Sequence, residues 1–168
     1  MTFPPIDVGD LIGHPGESRA TSIRGTLEDL STEVAAVAGE VTVDLLLESV
    51  VEGILVSGRL TGVLSLSCAR CLDGFERPFA LDVHELFVET PAPDGDDYGL
   101  GPEASIDTGP MALDAIGVEM PFAPLCRPDC LGLCETCGGN RNLGECPGHE
   151  EVDPRWAGLE AMLERLSD

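Results

Sequence analysis

The sequence predicts an α+β fold: an antiparallel β-meander sheet with flanking helices, closed at its C-terminal end by a cysteine cluster that staples the chain. Three observations lead to this. Between Glu40 and Phe87 the apolar residues recur with period two over three long runs, the signature of strands with one buried face. Before and after those runs, shorter stretches carry apolar residues at helical spacing. Five of the seven cysteines fall between Cys126 and Cys146, and the other two, Cys68 and Cys71, sit between two of the strand-like runs.

Taken in order, Asp7 to Ile12 reads as a short strand and His14 to Ser18 as a loop. Leu27, Leu30, Val34 and Val37 recur at helical spacing, with Gly39 placed to end a helix. Val41, Val43, Leu45 and Leu47 then alternate with more polar neighbours, and Ile54, Val56, Leu60, Leu64 and Leu66 share one parity. After Cys71, Phe75, Phe79, Leu81, Val83 and Phe87 share another. Turns at Glu52-Gly53 and at Cys68 to Cys71 join these runs into a meander. Residues 88 to 104 are a loop rich in proline, glycine and acid, expected to be mobile. Leu113, Ile116 and Met120 suggest a short helix stopped by Pro121. Asp153-Pro154 opens a final helix with Trp156, Leu159, Leu163 and Leu166 on one stripe.

At 168 residues and 17.7 kDa the chain is sized for one domain. We divide it into a sheet domain with helices, 1–125, and a cysteine cluster with the amphipathic C-terminal helix, 126–168, packed on the same domain. Only 4% of residues are aromatic, so the core must be aliphatic. The formal net charge of −22 arises from 31 acids against nine bases, all arginine. Such a chain repels phosphate backbones as a whole and suits a basic partner. No apolar run is long enough to span a bilayer, so a soluble protein is expected, with no membrane partner.

The cysteines decide the chemistry. A secreted disulfide scaffold would have an even cysteine count and a signal segment; here the count is seven, and the first residues carry neither a base nor an apolar core. Cys68-x-x-Cys71 and Cys134-x-x-Cys137 have the spacing of a tight knuckle whose backbone N–H groups face thiolates. Cys126-x-x-x-Cys130 and Cys146-x-x-His149 supply four more donors. Eight ligand-type residues make two tetrahedral zinc sites, so the expected cofactor is one or two Zn²⁺. Two partitions stand open. In one, Cys134, Cys137, Cys146 and His149 close locally while Cys126 and Cys130 meet Cys68 and Cys71, stapling the middle of the chain to its end. In the other, the two Cys-x-x-Cys knuckles join as a zinc ribbon.

No catalytic residues are expected. The chain shows no Ser-His-Asp order, glycine-rich phosphate loop or His-Glu-x-x-His, and among its histidines only His149 has ligand-like spacing. Sites with four protein ligands leave no open position for a reacting water. Neither enzymatic activity nor a small-molecule substrate is therefore expected.

Cys68-x-Arg70-Cys71-Leu72 after a Gly-Arg-Leu-Thr-Gly strand, then Pro124-Leu125-Cys126-x-x-x-Cys130-x-Gly132-Leu133-Cys134-x-x-Cys137-Gly138, then Asp153-Pro154-Arg155-Trp156 before a short amphipathic helix, together resemble the YceD family. The likeness runs from about residue 20 to the end. Family members often close the cluster with Asn-Leu-Asn and Cys-x-Cys; here Asn140-Arg141-Asn142-Leu143 and Cys146-Pro147-Gly148-His149 stand instead. The resemblance implies a bacterial cytoplasmic factor for accumulation or processing of large-subunit ribosomal RNA, with no enzymatic activity. Joined to the acidity, it implies binding of a basic large-subunit ribosomal protein or a pre-ribosomal particle, with Asp94, Asp96 and Asp97 as candidate docking residues. The alternative is a direct contact to ribosomal RNA through Arg70, Arg127 and Arg141, which all lie beside cysteines. Two plainer readings remain open: the acids as a solubilising surface, and the arginines as neutralisers of thiolate charge.

Overall fold

The computed structural model describes residues 2–27, 30–92, 95 and 97–149. They form two compact units. One takes the described residues up to Ala69 and those from Asp73 to Pro128; the other takes Arg70–Leu72 and those from Asp129 onward. The division thus falls after Pro128, where the sequence suggests residue 125, and it assigns part of the first cysteine turn to the second unit.

The regular elements of the first unit are β1 (Ile6–Asp7), β2 (Ser18–Thr26), β3 (Ala35–Ser49), β4 (Ile54–Ser67), β5 (Gly74–Val88), β6 (Tyr98–Gly99), β7 (Ser105–Ile106) and α1 (Gly109–Glu119). One sheet runs β2-β3-β4-β5-β6, and β1 pairs with β7 in a second, two-stranded one. Neighbours from β2 to β5 are antiparallel. The registers Val43↔Leu60, Leu47↔Val56 and Ile54↔Phe87 put residues of one parity on one face. Val41, Val43, Leu45, Leu47, Ile54, Val56, Leu60, Leu64 and Leu66 are accordingly buried there. Met111, Ala112 and Ile116 of α1 complete the same core, with Met120 just beyond the helix. Each fully buried aliphatic side chain contributes about 1.5–3 kcal/mol relative to exposure, so this single aliphatic face accounts for why the meander holds.

The sheet departs from the expected pure antiparallel meander at its edge, where β6 pairs with β5 in parallel, Phe87↔Tyr98 and Val88↔Gly99. The cause is tertiary: the Tyr98 ring stacks on Phe87 at 5.2 Å between centroids, and its hydroxyl donates to Asp114 Oδ2 at 2.7 Å. Burial and the neighbouring Asp114 carboxylate push the Tyr98 phenol well above its usual range. The sheet is therefore mixed.

Among the described residues of the stretch Leu27 to Val37, the expected helix does not form. Thr32 N–H donates to the Ala35 carbonyl at 2.7 Å, and Thr32 Oγ1 accepts from the N–H groups of Val34 at 3.3 Å and Ala35 at 3.0 Å. The hydroxyl thereby offers the backbone a turn that competes with a helix. The chain then doubles back, bridging Ser31 to Ala36, and enters β3 at Ala35. Gly39, read as a helix end, has φ 71° and sits where the β3–β4 register shifts. The strand expected from Asp7 to Ile12 shrinks to β1; Leu11 and Ile12 N–H groups instead turn back onto the Val8 carbonyl. Among the described residues the expected flanking helices reduce to α1, which packs on β5. It starts earlier than the Leu113 stripe suggests because Pro110 suits a first turn, and it ends before Pro121 as the sequence implies. The predicted C-terminal helix at Asp153 to Leu166 lies outside the described residues. No described helix is long and apolar enough to cross a membrane.

Gly58 marks how closely β3 and β4 approach. A Cβ there would run into the Asp44 carbonyl oxygen and come within 2.9 Å of Leu45 Cα. Those are backbone atoms that cannot swing aside. Gly58→Ala is expected to destabilise the first unit by about 1–3 kcal/mol, seen as a lower urea midpoint; an unchanged midpoint would mean that the strands are not in this contact.

Candidate metal centre

The first cysteine pair is placed by the sheet. Ser67 pairs with Gly74 to end the β4–β5 ladder, and the six residues between them form the turn. Cys68 N–H donates to the Asp73 carbonyl at 2.9 Å and Ala69 N–H to the Pro124 carbonyl at 2.7 Å. Leu72 takes a left-handed conformation, φ 62°, uncommon for a residue with a side chain. The sulfurs of Cys68, Cys71, Cys126 and Cys130 all lie within 4.8 Å of one another. Cys126 is half-buried and the other three are buried. Four ionised sulfurs at that separation repel one another unless a cation sits among them.

The second group is local. Gly138 N–H donates to the Cys134 carbonyl at 2.8 Å and Cys134 N–H to the Gly139 carbonyl at 2.9 Å, closing a knuckle around Cys134-x-x-Cys137. Ligand atoms of Cys134, Cys137, Cys146 and His149 lie within 4.8 Å of one another. Backbone N–H groups of Cys137 and Thr136 face the Cys134 sulfur and bring its thiol down to about 6. At Cys146 the Gly148 N–H is the largest single influence and favours the thiolate, yet hydrogen bonding to Cys134 and Cys137, burial and the Cys134 charge together outweigh it and push the thiol up. The two Cys-x-x-Cys pairs thus fall in different groups rather than forming one ribbon site.

Asparagines pin the second unit. Asn142 Oδ1 accepts from Leu131 N–H at 2.9 Å, and its amide donates to Asn140 Oδ1 at 3.0 Å and to Cys130 Sγ at 3.4 Å. Asn140 is buried, and its N–H donates to Glu145 Oε2 at 2.9 Å. Gly132 has φ 73°, and a Cβ there would lie 3.0 Å from the Arg70 carbonyl oxygen, the atom that accepts from Leu133 N–H at 2.9 Å. A side chain would both strain that turn and crowd the bond. An amide hydrogen bond to sulfur has no signature in sequence spacing.

Arg70 donates through Nη1 to the Cys130 carbonyl at 2.9 Å. It lines a cavity of about 840 Å³ together with Arg141, Glu135, Cys134, Cys146 and His149. Arg127 is exposed beside Cys126 and does not line that cavity. Asp97 is exposed in the first unit, while Asp94 and Asp96 lie outside the described residues.

The sequence profile described as "Large ribosomal RNA subunit accumulation protein YceD" matches residues 56–163, more than half of the chain, spanning every candidate ligand. The chain belongs to the YceD family. An uncharacterized protein of Mycobacterium tuberculosis is 41% identical to this YceD member over 132 residues, 74% of this chain and 63% of its own length. One of Mycobacterium leprae is 35% identical over 128 residues, 73% and 59% respectively. The uncharacterized protein YlbN of Bacillus subtilis is 28% identical over 110 residues, 63% and 64%. The chain therefore spans less than two thirds of these curated relatives' lengths. No solved structure matches the chain.

Both donor sets suit zinc: four thiolates in one, three thiolates and an imidazole in the other. Partners that orient a ligand typically matter 10–100-fold to metal affinity. Asn142→Ala is expected to weaken retention of a metal at Cys130 by a factor in that range, measured by competition with a chromophoric chelator. An unchanged affinity would reduce the amide–sulfur contact to a packing detail.

Proposed function

We propose that the protein is a non-enzymatic, zinc-holding bacterial cytoplasmic factor in the accumulation and processing of large-subunit ribosomal RNA and in ribosome assembly. On this reading it works by binding a basic large-subunit ribosomal protein or a pre-ribosomal particle. The family name supports the coarse role. The observation that carries the molecular reading is the pair of four-donor groups. A metal held by four protein ligands has no open position for water, which suits a structural ion rather than a catalytic one. Its contribution is to folding: structural zinc contributes on the order of 10 kcal/mol in small zinc peptides, and an ion on Cys71 and Cys126 would close the long chain segment between them.

The basic partner is supported by charge. At −22 with no lysine, the chain attracts cationic proteins and slows encounter with bare RNA, most strongly at low salt. One observation favours the second reading, direct contact with ribosomal RNA: Arg70 and Arg141 line the same cavity, and two guanidinium groups are a fitting start for a phosphate.

Native mass spectrometry of protein purified without chelator is expected to find two zinc ions. Apoprotein throughout would sink the structural-zinc reading. Cys71→Ser is expected to lose one ion and to lower the thermal midpoint by many degrees; an unchanged, cooperative transition would show that the first group does not hold the fold. The partner is tested by titrating the chain, at two salt concentrations, against purified basic large-subunit ribosomal proteins and against naked ribosomal RNA. Protein binding that weakens as salt rises is expected. Tight RNA binding lost in Arg70→Ala, with no affinity for the proteins, would establish the second reading instead.

A further inference from the structure

Among the described aromatic residues, Phe3, Phe75, Phe79, Phe87 and Tyr98 are buried or half-buried, and Phe87 is fully so. Phe122 is different. It is 101% exposed, and Val118, four residues earlier in the last turn of α1, is 91% exposed. An aromatic ring held wholly in water has no folding rationale, and aromatic side chains are the commonest anchors of protein interfaces. Pro121 and Pro124 restrict the backbone on either side of Phe122.

The surroundings of this apolar pair are negative. Glu119 lies between Val118 and Phe122, and Asp114 is one turn before Val118. The last turn of α1 contains no basic residue, so nothing there offsets the partial negative charge of the helix C-terminus. From Pro78 to Cys126 the sequence has no lysine or arginine at all. Glu119 and the helix end thus bring negative charge to the stretch that carries Phe122, and the ring itself can take a cation on its face. The complement is an apolar residue flanked by arginine or lysine. Two other occupants suit the surface less well. The chain's own residues 150–168 carry six acids against two arginines, and a second copy would bring the same acids face to face.

We propose that Val118, Glu119 and Phe122 form the docking surface for an arginine- or lysine-rich segment of a partner protein, with Phe122 as its anchor. This rests on the reading that the partner is a basic protein and names the place where that protein binds.

The test uses the full chain loaded with zinc, titrated against purified basic large-subunit ribosomal proteins. Phe122→Ala is expected to weaken binding roughly tenfold or more with an unchanged thermal midpoint. Glu119→Arg is expected to weaken it with a reduced salt dependence, and Val51→Ser, at another exposed apolar site, to leave it as it is. Binding that ignores both Phe122→Ala and Glu119→Arg would overturn the docking surface while leaving the basic-partner reading intact. Binding to none of these proteins would overturn that reading and the surface with it. Two further results would reassign the occupant and refute the proposal. One is self-association of the wild type in ultracentrifugation that Phe122→Ala abolishes. The other is a shift in the emission of Trp156, the chain's single tryptophan, when Phe122 is replaced in the free chain.

Discussion

Seven sulfurs and an imidazole drawn into two groups impose the constraint on which the rest of the chain depends. Thiols buried together, as at Cys68, Cys71 and Cys130, are inert as long as they stay protonated, but as thiolates they need a counter-charge. The sheet supplies the placement. Cys68 follows directly on the last residue of β4, so the β3–β4–β5 register that buries Leu64 and Leu66 also fixes where its sulfur points. A slip of one residue would turn those leucines to solvent and carry the sulfur away at the same time. Core packing and ligand placement are thus one specification, which explains why a turn carrying candidate metal ligands can sit at the tip of a long hairpin without a scaffold of its own.

Charge organises the remaining surface. Arginines are scarce, and two of the four on the sheet are committed locally: Arg19 pairs with Asp10 at 2.9 Å and Arg59 with Asp82 at 2.7 Å. Both pairs are exposed, so each is worth little to stability; the Arg59 guanidinium does hold the Asp82 carboxyl below its usual range. In the second unit, Arg70 and Arg141 lie among thiolate donors and face one cavity. Their position follows from chain economy, since the residues between closely spaced ligands have nowhere else to go, and that is compatible both with neutralising thiolate charge and with meeting an anion.

What could be read from the sequence follows the strength of each local signal. β4, β5 and β3 from Glu40 onward were legible because all three runs are long and carry their apolar residues largely on one parity; the start of β3, from Ala35, falls in the stripe that reads as helical. The Cys-x-x-Cys spacings were legible because ligand geometry leaves few alternatives. β2 escaped because its residues, Ser18-Arg-Ala-Thr-Ser-Ile-Arg-Gly-Thr26, are largely polar, as befits an edge strand with only Ile23 packed against the core and Gly25 covered by the N-terminal Phe3. The Leu27 to Val37 stripe misled because periodicity is blind to a hydroxyl that captures the backbone, as Thr32 does. The parallel β6 depends on Tyr98 meeting Phe87 and Asp114, contacts distant in sequence.

On the proposed function, metal and partner would make separate demands on this chain. Ligand groups closed by four donors would, once loaded as proposed, use up the reactive potential of the cysteines and leave recognition to surfaces. Those surfaces differ in character: an acidic helix end bearing an exposed Val118 and Phe122 in one unit, and a cavity edged by Arg70 and Arg141 in the other. A protein working on a particle made of basic proteins and RNA would need attraction for the first without being captured by the second. A high negative charge achieves this: it lengthens the reach of encounter with a basic segment and confines any phosphate contact to the few places where arginines are held close together. If a basic segment docks there as proposed, the apolar residues at the helix end would select it, because charge alone discriminates poorly among cationic partners, whereas an exposed ring requires a matching apolar surface.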